Sequence, residues 1–521
     1  MEQPHSRSYH LQLDEIQGLI ASGYGDRPAA SYAFFEVTDA ARARKWIARI
    51  LPGVQFGGYR RTPRHTPPLL ADLCINLAFT YEGFQALQLD EMALRGFSLP
   101  FQEGFADPNR ARRLGDDGPS APENWTWGGP NNPDVHGLLA VFAGQNDANE
   151  RDIELPAETI ATQVREENGV RLVKVLHAWP TNRALRKEHF GFRDGISNPR
   201  LAGLARQGSR DVIANGEVVL GCPNGYDKLP LSPELPADVD RHGDLLLPGE
   251  DHLARHRDFG RNGTYLVFWQ LAQDVQSFWN YVFRTAEKLN WLRSEHGAGR
   301  EGALWLAAKL VGRWPNGSPV AAYPDRSGSI RHQDDNDFRF GSMGDAFGEK
   351  CPIGSHIRRT NPRDTALPVP HDPELSGDPK DPAVQQERID RANLHRILRR
   401  GRPYGAPLDA GFDPEAMLTA SEAAAAEERG MHFVCLNANL SRQFEFVRSN
   451  WMVNPTFAGL SRDPDPLLGP QRACPFPASD FTLQGYPPRQ LRNLPRVVET
   501  RGGAYFFLPS RSALQHLGRD L

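Results

Sequence analysis

The chain has 521 residues, 39% hydrophobic and 9% aromatic, which suffices for a buried core in two or three domains. Its 60 basic and 64 acidic residues leave a net charge of -4, a balance that argues against nucleic acid as the main partner. Five scattered cysteines, Cys74, Cys222, Cys351, Cys435 and Cys474, make no CxxC pair, so neither a disulfide framework nor a zinc site is expected and a reducing compartment is the default.

The first residues, "MEQPHSRSYHLQLDEIQG", carry no apolar signal region and no twin arginine, and no apolar run is long enough to span a bilayer. The expectation is a soluble, cytoplasmic protein with no membrane partner. "SYAFFEVT" (31–38) predicts a strand, and "DAARARKWIARIL" (39–51) a helix opened by an aspartate cap. "DLCINLAFT" (72–80) and "HGLLAVFAG" (136–144) predict strands, with a short helix, "YEGFQALQL", after the first. "ELPAETIATQVREENG" (154–169) predicts a helix ending at Gly169, and "VRLVKVLHAWP" the strand after it. This order suits a ferredoxin-like α+β unit. It recurs: "GTYLVFWQL" (263–271) precedes a helical "DVQSFWNYVFRTAEKL", and "GMHFVCLNAN" (430–439) precedes a helical "LSRQFEFVRSNWM". The fold class is therefore α+β, two ferredoxin-like domains of antiparallel sheet with packed helices, without a residue-level repeat. The boundary falls in the proline- and glycine-rich stretch from about 200 to 245, giving domains 1–215 and 216–521. A charged helix is expected over 383–401, with Gly401 as its cap and the arginines of "RILRRGR" (396–402) on a solvated face.

The sixteen histidines form no HExxH pair, so a mononuclear zinc hydrolase is not indicated. "GAGREG" (297–302) matches GxGxxG but lacks a strand before it, and reads as a turn. Two segments carry chemistry. In "HFGFRDGISNP" (189–199), Asp194 lies among Gly191, Phe192 and Gly195. It reads locally as an Asp-Gly turn, or as a carboxylate on a tight loop that a planar cofactor can approach. In "CPIGSHIRRTNPRD" (351–364), His356 precedes Arg358 and Arg359. It reads as a loop histidine, or as the single imidazole of a haem whose propionates the arginines hold.

Taken together, these segments resemble the dye-decolourising peroxidases, in particular their longer bacterial members. "GFRDG" (191–195) is similar to the family's GxxDG signature, "HIRRTNPR" (356–363) to its proximal-histidine segment and "ILRRGRPYG" (397–405) to the segment of its distal arginine. "GMHFVCLNANLSRQFEFVRSNW" (430–451) is similar to its C-terminal strand and helix, and further similarities run through nearly the whole chain. The resemblance implies a dimeric α+β barrel type of fold and haem b (iron protoporphyrin IX) held mainly by the second domain. It implies His356 as the iron ligand, with Arg358, Arg359, Gly195, Ile196, Ser197, Met431 and Phe433 around the cofactor. Asp194 and Arg399 would be the catalytic residues. Met431, where leucine is more usual, and Trp269, where arginine is often found, are departures. The implied activity is reduction of hydrogen peroxide with one-electron oxidation of dye-like or phenolic substrates. The alternative is a haem-binding protein for iron release or peroxide sensing. Self-association as a homo-oligomer is expected, as is activity favoured at acidic pH, since a free aspartate titrates near pH ~4. Trp451 and Tyr404 are candidates for passing electrons to the surface, against a plainer role in core packing.

Overall fold

Continuous apolar runs form strands buried on both faces. β1 (Ala29–Val37), β2 (Leu73–Phe79) and β3 (Gly137–Ala143) are buried over almost every residue, and β4 (Val170–Ala178) is the half-exposed edge. Helix α1 (Ala40–Ile50) starts where the Asp39 carboxylate accepts the Arg42 N–H at 2.9 Å. Helix α2 (Arg151–Gln163) stops before a 3-10 turn, Glu166–Asn168, and Gly169 takes the left-handed conformation. The predicted helix over 154–169 is thus two pieces. The computed structural model describes residues 11–57, 73–144, 151–178, 186–240, 246–248, 256–292, 299–328, 336–366, 378, 380–470 and 479–519, with backbone alone at 151–155 and 290–292. Cys474 and the first two residues of "GAGREG" lie outside the described residues.

The second half repeats the plan. Strand β5 (Thr264–Gln273) leads to α3 (Val275–Leu292) and α4 (Arg300–Val311). A five-residue helix, α5 (His356–Thr360), and α6 (Pro382–Asn393) follow. Then come β6 (Leu398–Arg399), β7 (Arg402–Tyr404), β8 (Gly430–Asn437) and β9 (Val498–Leu508). Every pairing among β1–β9 is antiparallel, and the path runs β6-β8-β5-β9-β2-β3-β1-β4, with β7 also on β8. Each half has its second, third, first and fourth strands in that order, the ferredoxin-like arrangement twice over. The halves join through Phe507 of β9 and Phe79 of β2. At the far ends, His432 Nε2–H of β8 donates to the His177 carbonyl of β4 at 3.1 Å, so the sheet curls towards a barrel.

Side chains alternate between two cores. Tyr32, Phe34, Phe142, Phe268, Leu436 and Phe506 fill the inside, where Trp127 stacks on Phe34 at 4.0 Å. Such a pair adds roughly 0.5–1.5 kcal/mol beyond its burial. Phe35, Ile75, Leu77, Val141, Val267 and Phe507 face outward, and over the first half Trp46, Ile47 and Ile160 of the helices close on them. Among the described residues no helix is long and apolar enough to cross a membrane. The described cysteines, Cys74, Cys222, Cys351 and Cys435, are buried thiols.

The helix expected over 383–401 ends at Asn393. Leu398 and Arg399 instead pair with Leu436 and Cys435 of β8. Nor are the arginines of 396–402 on a solvated face. Arg396 is buried on Asp211, while Arg400 and Arg402 donate to main-chain carbonyls of residues 19–28.

Candidate functional site

Over the second half the helices do not close on the sheet. Between them lies a cavity of ≈ 1600 Å³, solvent-connected space included. Its apolar wall includes Trp269 and Leu271 of β5, Met431 and Phe433 of β8, Val311 of α4 and Met452. Met452 belongs to a π-helical segment, Val447–Val453, a wide turn that often marks a functional site.

His356 lines this cavity at the first position of α5. Its Nδ1 lies 2.9 and 3.1 Å from the two carboxylate oxygens of Asp465, which is fully buried. The N–H groups of Leu467 and Leu468 also reach that carboxylate, each at 2.9 Å. Burial alone would raise the Asp465 pKa, but the His356 charge and hydrogen bond outweigh it, so the carboxyl stays ionised below its usual range. Nδ1–H therefore donates to Asp465, which fixes the tautomer and leaves the lone pair on Nε2.

Asp194 and Arg399 line the same cavity, with Arg399 Nη1 donating to Asp194 Oδ1 at 2.8 Å. The aspartate stands on a tight hairpin: Glu188 N–H donates to Phe192 O, Gly191 N–H to Glu188 O and Asp194 N–H to Arg186 O. Gly191 and Gly195 hold φ of +94° and +80°, the left-handed region that tolerates glycine, which is why the loop carries them. Arg399 is fixed through its main chain. Its N–H donates to Asn198 Oδ1 at 3.0 Å, and Asn198 Nδ2 returns a bond to its carbonyl at 3.2 Å. Burial pushes the Asp194 carboxyl up, but the Arg399 charge, the Gly195 N–H, the Arg399 hydrogen bond and His356 outweigh it, and the net shift is downward.

Ile196, Ser197, Met431 and Phe433 also line the cavity, together with Trp269. Gly195 does not; its N–H is turned to Asp194. Arg358 and Arg359 require correction. Both are fully buried and neither lines the cavity. Arg358 pairs with Asp345 at 3.1 Å, bonds the Cys351 carbonyl and lies over the Phe340 ring. Arg359 donates to the carbonyls of Trp451, Asn454 and Asp463. The arginines that do reach the cavity include Arg313, Arg363 and Arg396. Arg313 bonds Gly317 O, Ser197 Oγ and Asn336 Oδ1, and Arg363 bonds Phe338 O and Asn336 Oδ1. Arg363 stands seven residues past His356, inside the segment that drew attention in the sequence; Asp465 lies 109 residues from its partner and leaves no local signal. Trp451 and Tyr404 are 5% and 7% exposed, so both are packing residues rather than surface ones.

Among the described residues no three His, Cys, Asp or Glu side chains cluster as a metal site, and His356 is the one histidine among the residues that line the cavity. An imidazole with an engaged Nδ1, an apolar wall and several guanidinium groups fits an iron porphyrin bearing carboxylates.

No sequence-family model matches the chain. It is 29% identical over 528 residues to Peroxidase 2 of Mycetinis scorodonius, covering 98% of this chain and 88% of that one. It is 28% identical over 520 residues to the multifunctional dye peroxidase DyP2 of an Amycolatopsis, covering 97% and 96%. A solved structure of a point mutant of the dye-decolorizing peroxidase from Pleurotus ostreatus superposes with a TM-score of 0.71 at 22% identity, over 98% of this chain and 99% of that one. The Auricularia auricula-judae enzyme superposes at 0.68 and 23%, over 98% and 100%. The latter two likenesses speak for the fold.

Proposed function

This chain belongs to the dye-decolourising peroxidase family and is an oxidoreductase acting on peroxide, and from that premise we propose how its own residues divide the work. The cofactor is haem b, with His356 Nε2 as iron ligand and Asp465 as the group that orients it. Arg313 and Arg363 hold the propionates, in place of Arg358 and Arg359. Haem, when bound, supplies an iron that takes peroxide as a ligand and accepts and passes on single electrons.

Asp194 enters the reaction as a carboxylate, because its pKa is held low. It takes one proton from peroxide and returns it to the departing oxygen, so that water leaves. Arg399 cannot exchange protons at working pH. Its guanidinium stabilises the negative charge that grows on that oxygen and keeps the Asp194 carboxylate aimed into the cavity. The apolar wall lowers the local dielectric beside the pair and so strengthens both effects. Electrons come from two molecules of a small organic reductant, each giving one. A solved relative is described in complex with 2,6-dimethoxyphenol, and a phenol of that kind is the reductant to try first.

The observation that carries this reading is the Asp194–Arg399 pair and the Asp465-bound His356 on one cavity. The visible spectrum of protein supplied with haem, beside that of His356→Ala, tests it. An intense Soret band, weakened or shifted in the variant, together with peroxide-dependent oxidation of 2,6-dimethoxyphenol, is the expected result. Wild type without a bound-haem band would overturn the site assignment. Bound haem with negligible turnover would favour iron release or peroxide sensing.

A further inference from the structure

Glu188 is a carboxylate in the cavity wall for which the steps above have no use. It stands at the root of the hairpin that ends in Asp194. Its Oε1 accepts the Phe192 N–H at 2.8 Å, and its Oε2 accepts the Phe190 N–H at 3.0 Å and Gln273 Nε2 at 2.7 Å. Burial nonetheless pushes its pKa up to about 7, with the Asp194 charge adding to the rise.

Gln273, at the end of β5, borders two spaces. One is the cavity; the other is an outer cleft bordered by Glu427, Glu428, Arg429, Glu499 and Arg501. The Glu188–Gln273 hydrogen bond therefore lies in the wall between them. The charged groups about Glu188 come from several elements. Lys187 and Asp194 belong to its own loop, and His189 beside it is kept neutral by burial, which pulls its pKa to about 4. From β6, Arg399 pairs with Asp194, and the Arg429 carbonyl holds the Gln273 N–H at 2.8 Å.

Reduction of one peroxide to two waters consumes two electrons and two protons. The proton that Asp194 moves within peroxide adds nothing to that total. A phenol oxidised outside the cavity releases its proton outside, so two protons must enter separately. We propose that Glu188 is the residue through which they enter, giving its proton towards Asp194 and being recharged from the outer cleft at Gln273. In each cycle the Glu188 O–H bond breaks, the carboxylate remains, and a solvent proton restores the acid; no electron passes through it. Glu188 acts on peroxide through Asp194 and is a positioning residue for protons. The proposal rests on the peroxidase reading.

The test uses haem-loaded wild type, Glu188→Gln, Glu188→Asp and Gln273→Leu. Infrared difference spectra against pH should show a protonated-carboxyl band titrating near pH 7 in wild type and missing from Glu188→Gln. In the pH profile of kcat, wild type should lose rate as pH rises through that titration. Glu188→Gln should lose this limb and about 10-fold or more in rate below it, and Glu188→Asp should restore a limb. Gln273→Leu removes a hydrogen bond that favours the carboxylate, so both band and limb should move to higher pH. A Glu188→Gln enzyme with the wild-type limb and rate overturns the proposal. If that variant does not fold, Gln273→Leu decides, and a limb that stays in place overturns it. Wild type without haem or turnover would instead sink the peroxidase reading, and the proposal with it.

Discussion

The two halves of the sheet share a strand order and differ in what covers them. Over β1–β4, α1 and α2 lie directly on the strands, and Trp46 and Ile47 complete a closed core. Over β5, β8 and β9 the covering elements stand off, and Met431, Phe433 and Val498 border the cavity, while Trp269 and Leu271 beside them stay almost fully buried in the core and reach it with an edge only. No residue of β1–β4 lines the cavity. The same topology thus serves once as a packed wall and once as a vessel. Inward-facing apolar residues do not by themselves distinguish the two uses, since both halves carry them.

That contrast can be broken or sharpened by substitution. The largest effect is expected in the open half: Asp194→Asn should cost about 10²–10⁴-fold in kcat/KM for peroxide, measured by steady-state kinetics, with the haem spectrum kept. In the closed half, Trp46→Ala should cost about 3–5 kcal/mol in urea unfolding, because it leaves a void under α1. Asp465→Asn removes the charge that fixes His356, and haem affinity should fall about 10–100-fold in a haem-transfer titration. Met431→Ala should change unfolding by only about 1 kcal/mol, since that side chain already borders space. A loss as large as that of Trp46→Ala would mean that the two halves are packed alike. The smallest effect concerns pH. The folded-state pKa of Asp194 is depressed, so the stability from its pair with Arg399 is present above the unfolded value of about 3.9 and is lost as pH falls through the folded value. Acid unfolding of Arg399→Met should begin at a slightly higher pH than that of wild type, and the shift should be small because the pair is partly exposed.

Much of the fold was legible because its signals are local. Apolar runs bounded by turns mark β1, β2, β3, β5 and β8, and Asp39 marks the start of α1. The end of α6 was not legible. The stretch after Asn393 keeps a helical spacing of charges, but β8 offers Leu398 and Arg399 an open ladder, and tertiary pairing overrides propensity. The same limit applies to the site. His356, Asp194 and Arg399 are singled out by the family resemblance of their segments, where the local reading leaves a plain turn, loop or helix face open, and the structure brings them to one cavity. Arg358 was misplaced because adjacency along a chain is not adjacency in space: two residues on in a helix is about 200° around it, the opposite face. Asp345 waits on that face, and no spacing rule links it to Arg358. Asp465 escaped for the same reason, as did Glu188, an acid whose part depends on a wall that only the folded chain builds.

The bracket that Asn198 places on Arg399 joins residues 201 apart, and the Asp194–Arg399 pair joins residues 205 apart. Contacts of such separation form late, since the entropy of closing a long loop precedes any return from them. During synthesis, Asp194 leaves the ribosome well before its arginine exists, and His356 well before Asp465. A half-made chain thus holds Asp194 and His356 without the partners that orient them, and the geometry of the cavity wall is complete only once both halves have docked.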